Sequence, residues 1–241
     1  MNKINVTVYN EFHHEKIHDY VQKVYPDGIH AAIKDALDGD GRFETSVATF
    51  EMDEHGLTEE VLSRTDVLFW WAHCLHEPVL DEVVERIHKR VLEGMGLVVL
   101  HSGHASKIFR KLMGTGCKVK WRESDDLERI WVVDPSHPIA AGLPEFFELE
   151  REEMYGEHFD IPTPDDVVFA SWFSGGELIR SGCCFERGNG KIFYFRPGHE
   201  SYPTFYDENI RKVLVNAALW ASSNRGIRQT YGHFPTENYK K

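Results

Sequence analysis

The side chains best suited to chemistry in this sequence are histidines that follow short apolar runs. Gly96-Leu-Val-Val-Leu leads straight into His101-Ser102-Gly103-His104. Leu68-Phe-Trp-Trp71 is followed by His73, Ile192-Phe-Tyr-Phe195 by Arg196-Pro197-Gly198-His199, and Ile4-Asn-Val-Thr-Val-Tyr9 by His13 and His14. Imidazole changes charge near neutral pH and ligates metals, so it suits acid–base work or metal binding. Two or three histidines with a carboxylate are the donor set of Zn²⁺ or a similar divalent ion. His14, His73, His101, His104 and His199, with Glu157, are the predicted ligands. His101 is the predicted central acid–base residue, flanked by His73 and His199 and completed by Glu153. The stretch from Glu152 to His158 is the richest in carboxylates, and it reads equally well as part of such a pocket or as a solvated acidic loop.

Only a particular scaffold brings such residues together. Parallel strands deliver their carboxyl ends to one rim, where open α/β sheets bind ligands. The four apolar runs read as strands, with a further alternating strand over 43–50. Helical spacing occurs at Ile33 and Leu37, over 79–93 (Val79, Val83, Ile87, Val91), over 105–113 and over 209–221. A short helix over 57–62 has Thr58 as its cap, and Gly94 stops the 79–93 helix. Segment 10–15 reads as a polar loop. Segments 117–122 and 129–134 read as a pair of exposed strands, and the pieces from about 117 to 195 as antiparallel additions. The predicted fold is therefore α/β, a single-domain, doubly wound, mostly parallel sheet over residues 1–225. The tail, 226–241, carries Tyr231, His233, Phe234 and Pro235. It is expected to dock on the body or on a neighbouring subunit, and the expected assembly is a homo-oligomer.

Composition narrows the function. With 27 Lys+Arg against 39 Asp+Glu the net charge is -12, which argues against nucleic acid or an anionic membrane as partner. No apolar run approaches the ~20 residues that cross a bilayer, and nothing suggests export. The four cysteines form no C-x-x-C pair, and Cys183 and Cys184 are adjacent, so a reduced cytoplasmic protein is expected. Neither a dinucleotide nor a P-loop glycine pattern is present, so no nucleotide cofactor is expected. Trp70, Trp71, Trp172, Tyr202 and Tyr206 read either as core or as a surface for stacking a sugar.

The central turn has the frame of a nucleophile elbow, with His101 at the nucleophile position and Gly103 as the trailing glycine. Imidazole there removes the usual acyl-enzyme route. Ser102 is out of register, so a serine- or cysteine-dependent amidase is the weaker reading. With this turn go His137-Pro138-Ile139-Ala-Ala-Gly142-Leu143-Pro144, Glu152-Glu153-Met154-Tyr155 and Lys191-Ile-Phe-Tyr-Phe-Arg-Pro-Gly198-His199, followed by a last helix to Trp220. Together these resemble the ThuA family of trehalose-utilisation proteins. That resemblance implies a fold like the class I glutamine amidotransferases, of flavodoxin-like type, with the amidotransferase cysteine replaced. It also implies a role in the metabolism of trehalose or related disaccharides, including their keto forms. The His-rich 10–30 segment and His104 depart from the family pattern. The first expectation is an enzyme acting on a carbohydrate through a His/Glu pocket, with or without a bound divalent ion. The second is a non-catalytic sugar-binding or regulatory protein that reuses the pocket.

Overall fold

Strands buried on both faces need apolar residues at nearly every position, and four short runs of the chain supply them. In the computed structural model, which describes residues 3–222, these runs form β1 (Ile4–Asn10), β3 (Val67–Trp71), β4 (Gly96–Leu100) and β9 (Gly190–Phe195). β2 (Phe43–Thr49) lies outside β1. Side chains alternate across the sheet. Val67, Phe69, Trp71, Val98, Leu100, Phe193 and Phe195 face one core, whereas Leu68, Trp70, Leu97, Val99, Ile192 and Tyr194 face the other. Helices α3 (Ile29–Asp38) and α7 (Glu208–Ala221) cover the first core. Helices α4 (Glu59–Arg64), α5 (Asp81–Glu93) and α6 (Lys107–Met113) cover the second. Thr58 caps α4 by accepting from Val61 N, and Gly94, at φ +130°, ends α5. Two short helices, α1 (His14–Ile17) and α2 (Asp19–Val24), replace the loop expected after β1.

The strand order is β2-β1-β3-β4-β9, continuing through β8 (Leu178–Arg187), β7 (Asp166–Phe173), β5 (Lys120–Val132) and β6 (Phe146–Gly156). The first five strands pair in parallel and the last four antiparallel. The expectation of a mostly parallel sheet is thus corrected to a mixed, nine-stranded one. Strand β6, the antiparallel partner of β5, was not expected, and the two exposed strands expected over 117–122 and 129–134 are one long strand, β5. Its register shifts between Arg122 and Asp126 and again before Glu128, and such irregularities bend a strand. The acidic stretch from Glu152, read equally as pocket or as solvated loop, lies at the end of β6. Although β6 is four strands from β9 in the ladder, the bent half brings them together, and Arg196 Nη1 donates to the Glu153 carbonyl at 2.5 Å. The tail expected to dock, with Tyr231 and His233, lies outside the described residues. Among the described residues no helix is long and apolar enough to cross a membrane.

Candidate functional site

β1, β3, β4 and β9 are consecutive neighbours in the sheet and run parallel, so the residues after their carboxyl ends meet at one rim. His101 follows β4 directly with φ +49°, a left-handed value uncommon outside glycine, which makes the turn as sharp as its frame predicts. Gly103 completes the turn, because an added Cβ would lie 3.0 Å from Val99 and 3.2 Å from the Trp70 carbonyl. After β9, Gly198 has φ +125°, and a Cβ there would press on Phe205 at 2.5 Å. Glycine therefore lets the segment turn His199 and Glu200 inward.

His73, His101 and His199 bring one donor atom each within 4.8 Å of one another. His101 is fully buried. Its Nδ1 donates to the Arg196 carbonyl at 3.0 Å, so Nε2 is the free nitrogen, and it lies 3.1 Å from Glu153 Oε2. Burial holds the His101 pKa well below the imidazole range, and burial also raises that of Glu153. The ring of Tyr155 stacks on His101 at 5.1 Å. Ser102 Oγ donates to the Ala72 carbonyl at 2.9 Å and so accepts from His73 Nδ1–H at 3.1 Å. Glu200 Oε2 is also 3.1 Å from that nitrogen, which leaves His73 Nε2 without a proton when the ring is neutral. His199 differs, because its Nδ1 accepts from Ser201 N at 3.2 Å. The proton of the neutral ring is then on Nε2, facing Glu200 at 3.7 Å and Glu153 at 4.0 Å.

Glu200 was not among the residues expected from sequence. Burial pushes its pKa up, but the His14 hydrogen bond and the nearby His73 and His199 bring it down to about 2. Its Oε1 accepts from His14 Nδ1 at 2.6 Å. The one signal for Glu200 was its position next to His199 in a glycine-turned segment.

Two predicted ligands face elsewhere. His104 donates from Nδ1 to the Cys117 carbonyl at 2.7 Å and packs among Tyr155, Phe159 and Tyr194. Glu157 faces Arg180, which donates from Nε at 2.8 Å and Nη2 at 3.0 Å, while Phe159 N donates at 2.7 Å. Burial opposes ionisation there, but these donors prevail and hold its pKa at about 2. Because that pKa lies below the ordinary 4.5, the interaction stabilises the fold above pH ~4.5 and is lost as the pH falls toward 2. Glu157→Gln should therefore cost about 1 kcal/mol at pH 7, a modest figure because the carboxylate is 34% exposed. The cost should vanish near pH 2, as read by urea midpoints at the two pH values.

The serine and cysteine readings lose support from the same geometry. The Ser102 proton is committed to a carbonyl. Burial raises the thiols of Cys74 and Cys183 to about 12 and that of Cys117 to about 11, with Cys184 raised further, so none is a ready thiolate. Trp70 and Trp71 are core residues. Tyr202, which packs on His199 at 5.5 Å, and Tyr206 line a groove of about 440 Å³ with Glu150, Arg151 and Asp207. The His137-Pro138 motif is structural: Asn216 of α7 donates to the carbonyls of Ile139 and Ala141 at 3.0 and 2.9 Å.

Beneath the pocket, fully buried Arg196 pairs with Glu128 and, at 3.3 Å, with Glu152. Glu152 accepts from Gly198 N at 3.1 Å and from Thr204. This network fixes the segment that carries His199 and Glu200.

Comparison with solved structures shows the same fold elsewhere. A ThuA-like protein from Parabacteroides merdae superposes with a TM-score of 0.68 at 17% identity, covering 95% of this chain and 93% of that one. A second, from Bacteroides uniformis, gives 0.65 at 18% identity over 94% and 95%. A GMP synthase component from Thermoplasma acidophilum gives 0.53 at 11% identity over 92% and 96%. No curated protein matches the chain. The model of the ThuA family, described as trehalose utilisation, matches residues 5–221. The chain therefore belongs to the ThuA family.

Proposed function

We propose that this protein works in carbohydrate metabolism of the trehalose-utilisation type, acting on a disaccharide or its keto derivative at the pocket of His73, His101, His199 and Glu153. The reading includes a divalent ion held there, zinc being the first candidate, on a single-domain scaffold of the class I glutamine amidotransferase-like, flavodoxin-like type. With net charge -12 neither nucleic acid nor an anionic membrane suits it as partner, and we place it in the cytoplasm as a homo-oligomer.

One observation carries the proposal. His101 Nε2 and Glu153 Oε2 are both buried, both without a hydrogen bond, and 3.1 Å apart. Two lone pairs facing each other in a dry site repel unless a proton or a cation lies between them. The donor set fits a cation. His101 and His73 each commit Nδ1–H to an oxygen, the usual support for a ligating Nε2. His199 fits less well, since ligation through Nε2 would move its proton to Nδ1 and open the Ser201 contact. When bound, such an ion polarises a carbonyl or hydroxyl oxygen of the substrate. The chain's own part is proton transfer. With Nε2 of His101 committed to the ion, the Glu153 carboxylate, 3.1 Å away, takes the proton from carbon beside a carbonyl and returns it. Ring stacking by Tyr155 and the Arg196 carbonyl keep the imidazole aimed.

The test compares His101→Ala with the unaltered protein for turnover of keto-disaccharides and for sugar affinity. Turnover in the parent, cut by about 10²–10⁴ in the variant with affinity retained, is expected. Sugar binding without turnover in either protein contradicts the enzymatic part and leaves a sugar-binding or regulatory protein.

A further inference from the structure

Above the inner histidines the rim carries a second donor set. His14, His73 and Glu200 bring one donor atom each within 4.8 Å of one another, and His73 belongs to both groups. Building on the reading of the inner histidines as metal ligands, we propose that His14, His73 and Glu200 form a separate outer site for a divalent cation, through which an ion passes to the inner set with His73 as the shared ligand.

Exposure supports the direction of travel. The side chains of His14 and His73 are 14% and 24% exposed, whereas those of His101 and His199 are 0% and 4% exposed. A hydrated ion cannot reach the inner nitrogens without first exchanging water for donors nearer the surface. Imidazole rings mark such a route. From His18 to His14 the ring centres are 5.1 Å apart, from His14 to His73 4.9 Å, and from His73 to His101 6.1 Å.

The outer set also has an unfilled acceptor. Glu200 is 2% exposed, and its Oε2 makes no hydrogen bond although it points among His73 and His199. Two imidazoles and a carboxylate suit zinc, cobalt or manganese. His14 is held in place rather than hanging in solvent. Its neighbour Glu15 is buried and accepts from Asn10 Nδ2 at 2.7 Å and from Ile29 N at 3.1 Å, which pins α1 to the sheet and to α3. Cys74 Sγ lies 3.6 Å from His14 Nε2, but the thiol donates to Glu11 at 3.3 Å, so it is not counted as a ligand.

Sharing makes the two sites alternate. His73 faces Glu200 with Nδ1, so an ion in the outer set takes the place of the Nδ1 proton. Ligation of the inner ion falls to Nε2. Filling both at once would require an imidazolate, with the ring's one N–H proton lost in a site that already holds carboxylates, so one ion is handed on rather than two being held.

Metal-free protein, prepared with a chelator, can be loaded with Co²⁺ and followed by its visible absorption, with Zn²⁺ stoichiometry measured by equilibrium dialysis. His14→Gln keeps a donor for Glu200 while removing the ring. That variant should bind one equivalent at equilibrium and load at least about tenfold more slowly than the parent. Loading at the parental rate overturns the proposal. His101→Gln combined with His199→Gln should still bind one Zn²⁺, more weakly, and adding His14→Gln should abolish it. If the inner double variant binds nothing while His14→Gln binds normally, the outer site is refuted and the inner one stands. Loss of binding in His14→Gln together with normal binding in the inner double variant would instead refute the inner site alone.

Discussion

Arg196→Met is expected to lower stability by about 3–5 kcal/mol at pH 7, because it removes the one cation that, among the described residues, pairs with two buried carboxylates. Glu128, Glu152 and Arg196 have no exposed side-chain surface. Even with the guanidinium present, burial pushes the Glu128 pKa up from 4.5 to about 7, against the pull of Arg196. A carboxyl whose folded pKa is raised binds its proton more tightly in the native state. Its penalty is thus absent below pH ~4.5 and complete above pH ~7. Without Arg196 both carboxyls must be neutralised, so the deficit should shrink as the pH is lowered from 7 to 5. Urea unfolding at these two pH values measures it. A variant within 1 kcal/mol of the parent at pH 7 would mean that the network does not hold the segment bearing His199 and Glu200.

Glu153→Gln should separate chemistry from folding. In metal-free protein a neutral amide can donate to His101 Nε2 across the same gap of 3.1 Å, so an unsatisfied pair becomes a satisfied one. Stability should stay within about 1 kcal/mol of the parent, or rise, as is common where an active site is relieved of strain. Turnover should nevertheless fall by about 10²–10⁴, because an amide neither holds nor releases a proton. Paired melting and rate measurements check both halves. Unchanged turnover would remove Glu153 from the chemistry and leave His101 without its partner.

Much of this arrangement is legible in the sequence, and the reason is periodicity. Continuous apolar runs ending in polar residues reveal β3, β4 and β9, and parallel pairing then places His73, His101 and His199 on one rim. The spacing of Val83, Ile87 and Val91 likewise reveals α5. What stays hidden depends on long-range bending or on single side-chain partners. The bulges of β5 carry β6 over β9, and no local pattern announces that Glu153 meets His101 across 52 residues of chain. Glu157, four residues further on, meets Arg180 instead. His104 looks like a ligand because it shares the turn with His101, but its ring finds the Cys117 carbonyl and an aromatic nest. No local pattern in the sequence pairs Glu128 with Arg196. Only the fold buries them together.

Elemental analysis of protein purified without added metal tests the central assignment most directly, run side by side for the parent, His73→Ala and His101→Ala. One equivalent of zinc or a similar ion in the parent, less than about a tenth of that in His73→Ala, which lacks the ligand common to both sites, and a reduced content in His101→Ala, which keeps only the weaker outer site, is the predicted result. A parent that carries no metal and turns over keto-disaccharides undiminished by a chelator, or variants that keep the full equivalent, would contradict it.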